Sequence, residues 1–173
     1  MEIYLQKLSP EDGKKYYDTI ITLSGYPDAY AKPLPDTDMT FEEFQGFLEI
    51  REKMSQGLFK GRAPVTTYWV MDGDNPIGYA TLKHVTEDKV GGNYGLCLLK
   101  EYQNKGIGTI VSDQLSEIAY NDLGLKEVIF TSKKENIQSQ KSVAHMGMIP
   151  YAEHDGYIFY KLNLEEKFKG RER

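Results

Sequence analysis

Gln103, Asn104, Lys105, Gly106 and Gly108 are the residues of this chain whose types and spacing best suit chemistry, and that chemistry is the binding of an anion. Leu96, Cys97, Leu98 and Leu99 form an apolar, strand-like run that enters a short polar turn. A long helix leaves the turn with Ile107, Gly108 and Thr109 among its first residues. Such a junction collects unpaired backbone N–H groups at a helix N-terminus, where the helix dipole also favours negative charge. Gly106 and Gly108 let a ligand approach the backbone with no Cβ in the way. A pyrophosphate is the anion this turn suits best, with Lys105 as its nearest cation.

Neither familiar glycine-rich phosphate loop fits. A dinucleotide fingerprint, Gly-x-Gly-x-x-Gly, would need a third glycine where Val111 stands. A nucleotide-triphosphate loop, Gly-x-x-x-x-Gly-Lys-Ser/Thr, occurs nowhere in the chain. A nucleotide-phosphate binder built on the Gly106 turn would let ATP or NAD compete for the site, and the failure of both motifs argues against it.

The spacing that does occur, Gln103-x-x-Gly106-x-Gly108 between a strand and a helix, resembles the acetyl-CoA signature of the GNAT superfamily of N-acetyltransferases, Gln/Arg-x-x-Gly-x-Gly/Ala. Downstream, Glu127-Val-Ile-Phe-Thr-Ser132 reads as a second buried strand. Asn136-Ile-Gln-Ser139 follows it, then a short helix ending at His145-Met146-Gly147-Met148. Strand, asparagine, helix and closing glycine pair stand in the order of that superfamily. The likeness covers roughly residues 66–162. Gly91-Gly92-Asn93-Tyr94-Gly95 and Leu82-Lys83-His84 are similar to the corresponding runs of a subgroup of bacterial acetyltransferases.

The resemblance implies an α/β (α+β) GNAT-like acyl-CoA N-acyltransferase fold, a mixed, mostly antiparallel sheet with helices on both faces. It implies an enzyme that moves an acetyl group from acetyl-CoA directly to a primary amine in a ternary complex. The pantetheine arm would lie along Leu96, Cys97, Leu98 and Leu99, where the strand splays from its neighbour. The pyrophosphate would rest on the turn, with Gln103, Asn104, Lys105, Gly106, Ile107, Gly108 and Thr109 around it, and Asn136 and Ser139 would complete the cofactor site. A backbone N–H near Leu98 would hold the oxyanion, a role that fixed backbone dipoles fill without moving. The acceptor amine must lose a proton and the thiolate must gain one. The tyrosine that serves many relatives as general acid is replaced here by Val143. His84 and Tyr94, which flank the expected cleft, are the substitutes, with Glu153 a further candidate base. The region of Tyr26, Tyr30 and Asp36 would form the acceptor side of the cleft, and Asp36 and Asp38 could meet a cationic amine. A non-catalytic acyl-CoA-binding module is the alternative that the substitution at Val143 keeps open.

Other reactive side chains have plainer readings. Cys97 lies inside an apolar run and reads as core. His145 and His154 are not spaced with acids or cysteines as a metal site requires, so no metal is expected.

The elements that must position these residues can be read from caps and periods. Residues 2–8 alternate like a strand. Ser9-Pro10-Glu11-Asp12 looks like a helix start, and that helix ends near Gly25. A proline-rich loop spans residues 25–39. Thr40-Phe-Glu-Glu43 is a capping box before a helix with Phe41, Phe44, Phe47 and Leu48 on one face. Residues 66–71 and 77–85 are strands joined by a turn containing Asp72-Gly-Asp-Asn-Pro76. The Gly106 helix buries Ile107, Val111, Leu115 and Ile118 and ends at Gly124. Two closing strands, 149–153 and 157–164, flank His154-Asp-Gly156. The order is β-α-α-β-β-β-α-β-α-β-β. Residues 1–165 read as one domain, with a charged tail at 166–173, and 157–164 as a sheet edge through which a homodimer could form.

Composition agrees. The 173 residues can bury a full core, and a hydrophobic content of 40% with 27% charged residues is that of a globular protein. A net charge of −5 with no basic stripe argues against nucleic-acid binding. The lone cysteine cannot form an internal disulfide and suits a reducing, cytoplasmic setting. No apolar run is long enough to span a membrane. The acceptor could be a small-molecule amine or a protein N-terminus.

Overall fold

The structure, a computed structural model, describes residues 1–26, 34–85 and 88–169. Along the chain the elements are β1 (Ile3–Lys7), α1 (Lys14–Ser24), α2 (Phe41–Ser55), β2 (Val65–Asp72), β3 (Asn75–Val85), β4 (Val90–Leu98), α3 (Ile107–Asn121), β5 (Glu127–Lys133), α4 (Ile137–His145), β6 (Ile149–His154), β7 (Tyr157–Asn163) and α5 (Leu164–Phe168). Up to β7 this is the order read from the sequence. The strands form one seven-stranded sheet in the order β1-β2-β3-β4-β5-β7-β6. Every neighbouring pair is antiparallel except β4 and β5.

Alternation along the strands sends side chains to two separate cores. Under α3, α4 and α5 lie Val70, Leu82, Leu98, Val111, Leu115, Val128, Phe130 and Val143. Under α1 and α2 lie Ile20, Leu23, Phe44, Leu48, Trp69, Met71, Tyr79 and Cys97. The predicted capping box holds α2: Glu43 N–H donates to Thr40 Oγ1 at 3.1 Å, and Thr40 N–H donates to Glu43 Oε2 at 3.3 Å. Arg51, near the end of α2, is fully buried and donates from Nε to Thr67 Oγ1 of β2 at 3.0 Å, tying the helix to the sheet.

Three expectations are corrected. Ser9 does not start α1; Gly13 precedes the helix, because the Asp12 carboxylate is committed elsewhere. Its Oδ2 accepts from Ser9 N–H at 2.8 Å and from the buried Trp69 Nε1–H at 2.7 Å, which holds residues 9–12 in a turn. The charged stretch beyond residue 165 is not a loose tail at its start. Asn163 caps α5 by accepting from Glu166 N–H at 3.1 Å, and Leu164 and Phe168 are buried in the α3-side core. Residues 170–173 lie outside the described residues. Finally, β7 is not an edge: it lies between β5 and β6, and β6 is the outer strand.

Candidate functional site

Among the described residues, the one parallel pair of strands in the sheet is also its weakest seam. β3 and β4 pair from Val85↔Val90 to Gly78↔Leu98. β4 and β5 pair only at Val90↔Glu127, Gly91↔Val128 and Gly92↔Ile129. Beyond Gly92 the two strands part, while β5 stays bonded to β7 along its whole length. The cause lies in β4. Between the pairs Lys83↔Gly92 and Thr81↔Gly95 that strand holds one more residue than β3, a bulge at Asn93–Tyr94. A bulge bends its strand and ends regular pairing. Gly92, just before it, comes so close to β5 that a Cβ there would overlap the Ile129 carbonyl oxygen.

The wall of the gap is backbone. Leu99 N–H donates to Ile77 O of β3 at 2.9 Å. Because successive N–H groups of a strand point to opposite sides, those of Leu96 and Leu98 face the gap. The Leu98 carbonyl accepts from Gln103 Nε2 at 2.9 Å, so the glutamine folds the following turn back onto the end of β4.

After a 3-10 turn at Lys100–Tyr102, Asn104 (φ 59°) and Gly106 (φ 79°) adopt left-handed conformations. Left-handed residues within a turn make concavities lined with N–H groups, which bind anions. Gly106 is the N-cap of α3, and no side chain caps that helix. The first helical bond runs from Ile110 N–H to Gly106 O, which leaves the N–H groups of Ile107, Gly108 and Thr109 without helical acceptors. Beyond the turn itself, no described residue has an atom within 4 Å of a Cβ built at Gly106, so its open side faces outward. Lys105 and Thr109 are exposed beside it. At the far side of the gap, Asn136 caps α4 by accepting from Ser139 N–H at 3.0 Å. The strand run and the turn thus lie on the β4 side of the gap, and α4 starts shortly after the end of β5, the strand on its other side.

The proton-handling candidates do not join them. His84 pairs with Gly91, at the end of the sheet where β4 and β5 are still bonded, and is buried with Nε2 3.4 Å from Thr66 Oγ1. Burial holds its pKa below the ordinary histidine value. Tyr94 points into the α3-side core. Its hydroxyl lies 2.8 Å from Ser116 Oγ, toward the far end of α3, and its ring packs edge-on against Phe130. Burial pushes its pKa strongly up, so this phenol keeps its proton. Glu153 is exposed and paired with Lys134 at 2.8 Å. Cys97 is core, its thiol pKa raised by burial. Val143 is buried among apolar side chains. Among the described residues no group of three or more His, Cys, Asp or Glu could hold a metal ion.

The burial of His84 carries a consequence for stability. Above pH ~6.5 the imidazole is neutral whether folded or unfolded; below it, only the unfolded chain takes up the proton readily. Stability should therefore fall as pH drops below about 6.5, toward the depressed folded value. Thermal melts from pH 7 to pH 5 should show a smaller loss in His84→Gln than in the parent chain. Equal losses would contradict the buried, neutral assignment.

On the acceptor side, Tyr26 reaches the start of the anion turn. Its hydroxyl accepts from Lys100 N–H at 3.2 Å, and Lys100 Nζ lies 5.0 Å from its ring centroid. Asp36 and Asp38 border an open groove of about 410 Å³ with Met39, Glu43 and Phe47. Tyr30 lies outside the described residues. Sequence reasoning missed the bulge and the role of Gln103 in closing the turn. The adjacent glycines Gly91 and Gly92 were the available signal, since glycine inside a strand often marks a bulge or a close approach.

Comparison with known proteins agrees with this geometry. The profile of the family described as "Acetyltransferase (GNAT) domain" matches residues 2–149. An uncharacterized N-acetyltransferase of Bacillus subtilis, YobR, is 28% identical over 115 residues, 66% of this chain but 45% of that protein, so the match spans less than half the relative's length. A chimera of the spermidine N-acetyltransferase SpeG from Vibrio cholerae with hSSAT superposes with TM-score 0.69 at 14% identity, covering 99% of this chain and 100% of the other. The Campylobacter jejuni N-acetyltransferase PseH in complex with acetyl coenzyme A superposes with TM-score 0.66 at 16% identity, covering 93% and 98%. At such identities the structural likenesses establish the fold.

Proposed function

The chain belongs to the GNAT acetyltransferase family, and on that premise we propose that it transfers an acetyl group from acetyl-CoA to a primary amine without a covalent enzyme intermediate. The observation that carries the reading is the opening of the β4–β5 seam directly above an uncapped helix N-terminus. A ligand with an extended, hydrogen-bonding arm and a pyrophosphate fits such a place, and neither part alone would require both features. The N–H groups of Leu96 and Leu98 bind the arm and take up negative charge developing on the thioester oxygen. The amides around Gly106, with Lys105, hold the pyrophosphate. Gln103 acts by fixing the turn rather than by touching the ligand. Binding both reactants side by side supplies much of the rate. With His84 at the paired end of the seam and the Tyr94 hydroxyl engaged with Ser116 of α3, the thiolate leaves unassisted or takes its proton from the acceptor amine. We assign the protein to the cytoplasm, where its free Cys97 stays reduced.

Asn136 serves two purposes in this reading. Asn136→Ala should cost about 1 kcal/mol through loss of the α4 cap, which lowers Tm by about 2–4 °C in a chain of this size. It should also weaken acetyl-CoA binding several-fold, because its amide nitrogen borders the arm. A cap loss with unchanged affinity would confine Asn136 to the helix.

Val143 gives a second reading its footing. With an apolar core residue at that position, the protein would bind acyl-CoA without turning it over. Release of CoA thiol on an amine panel separates the two; polyamines, amino acids, aminoglycosides and peptide N-termini belong on it. Turnover of any of them supports the transferase. Tight CoA binding with no thiol release across the panel supports the binding module.

A further inference from the structure

Arg51 is fully buried at the inner face of α2, yet among the described residues no carboxylate pairs with it. Its Nε donates to Thr67 Oγ1 at 3.0 Å and its Nη1 lies 3.4 Å from Met54 Sδ, while Nη2 has no hydrogen-bond partner among the described residues. The guanidinium stands 5.9 Å from the centroid of the Tyr79 ring. The Tyr79 hydroxyl is likewise buried without a hydrogen bond; Thr67 Oγ1 stands near it but is engaged by Arg51. Burial raises the pKa of this phenol, so it keeps its proton and can donate it. Buried polar groups are ordinarily paired, and a buried charge above all. A single anion would satisfy both.

The place of these groups in the sheet says what carries the anion. Alternation from Trp69 and Tyr79 puts Thr67, Thr81 and Lys83 on the face that α1 and α2 cover. Thr67 pairs with Thr81, and Thr81 with Gly95. This row runs from Arg51 to the part of β4 that has left β5, about 10 Å away at two strand spacings. Thr67 and Thr81 are buried, Gly95 is half-buried and presents no side chain, and Lys83, further along β3, is exposed. The row is polar, and it opens to solvent beside the gap. An acceptor lying along it has its amine at the gap and its other end toward Arg51. Open donors on one guanidinium and one phenol match the two oxygens of a carboxylate. A phosphate, with its three acceptor oxygens, would need more donors than these.

We propose that Arg51 Nη2 and the Tyr79 hydroxyl bind a carboxylate of the acceptor, so that the amine acetylated is that of an amino acid. The proposal rests on the acyl-transfer reading and narrows its acceptor. On binding, a change of rotamer at Arg51 turns Nη2 along the row. The test compares rates with acetyl-CoA within pairs that differ only by the carboxylate: lysine with cadaverine, ornithine with putrescine, tyrosine with tyramine. The carboxylated member should be preferred by about 10- to 100-fold in kcat/KM, the contribution of one charge-assisted hydrogen bond. Arg51→Met replaces a buried charge by an apolar chain of similar length and should fold. It should bring the ratio near one through a higher KM for the carboxylated member, and Tyr79→Phe should lower the ratio several-fold. Thermal shift of the CoA-saturated chain reports binding apart from turnover: the carboxylated members should raise Tm and their counterparts should not. Equal rates within the pairs would overturn this proposal and leave the transferase reading standing. So would an Arg51→Met chain that keeps the preference, or one that slows both members alike, which would reduce Arg51 to a strut between α2 and β2. No turnover, with Tm raised by the carboxylated members alone, would support the carboxylate site and end the transferase reading. Neither turnover nor a shift with any compound would overturn both.

Discussion

Gly106→Val is expected to weaken acetyl-CoA binding at least about 100-fold, equivalent to one or two charge-assisted hydrogen bonds, while the protein stays folded. Two separate effects coincide at this position. A valine at φ 79° is forced into left-handed backbone that β-branched residues avoid, at a cost of about 1–2 kcal/mol. In a chain of this size that lowers Tm by about 2–8 °C. A Cβ at this position has no described atom beyond its own turn within 4 Å, so the new side chain projects into the space where the pyrophosphate would contact the open amides. Stability therefore falls by a few degrees in Tm while affinity collapses. Isothermal titration and a thermal melt on the same preparation separate the two. A folded Gly106→Val protein that binds acetyl-CoA as the parent does would remove the turn from the site.

Gly92→Val should produce the largest loss of stability of any single glycine replacement. Only three residue pairs join β4 to β5, and they hold the β1–β4 half of the sheet to the β5–β7–β6 half. A Cβ at Gly92 would overlap the carbonyl oxygen of Ile129 and crowd its backbone nitrogen at 3.1 Å, so the obstacle is main chain and cannot swing aside. The strands must separate or the bulge must move, and either loses ladder bonds and core packing. A cost of at least about 3 kcal/mol, on the order of 10 °C in Tm, follows from comparable overpacking and strand disruption. Gly46→Ala is the control: it lies in α2 with nothing within 4 Å of its Cβ, and it should stabilise by about 0.5–1 kcal/mol. If Gly92→Val melts with the parent chain, the close approach of β4 to β5 is wrong.

These two glycines also mark how far the sequence could be read. Gly106 and Gly108 were legible because helix termini, anions and glycine obey local rules, and the spacing from Gln103 fell on a known pattern. The element order up to β7 was legible for the same reason: the Thr40–Glu43 box, the Gly73 turn and the Ile107–Leu115 stripe are local signals. Gly92 was not, since its constraint comes from Ile129, far along the chain. The surroundings of Tyr94 and His84 were not legible either: residue type made them candidates, but Ser116, Phe130 and Thr66, which they meet, are far along the chain. Helix α1 was placed too early because Asp12 looks like a first-turn acid until the Trp69 indole is seen to claim it.

We propose that the opening between β4 and β5, with the turn at its mouth, is an acetyl-CoA site. Calorimetric titration of the purified chain with acetyl-CoA, with ATP and NAD as controls, tests it most directly. Micromolar binding of acetyl-CoA, with ATP and NAD inert, is the predicted result. No heat of binding with acetyl-CoA, or equal binding of all three, would reduce the Gly106 turn to a structural strand-to-helix junction or a general phosphate loop, and the transferase reading would fall with it.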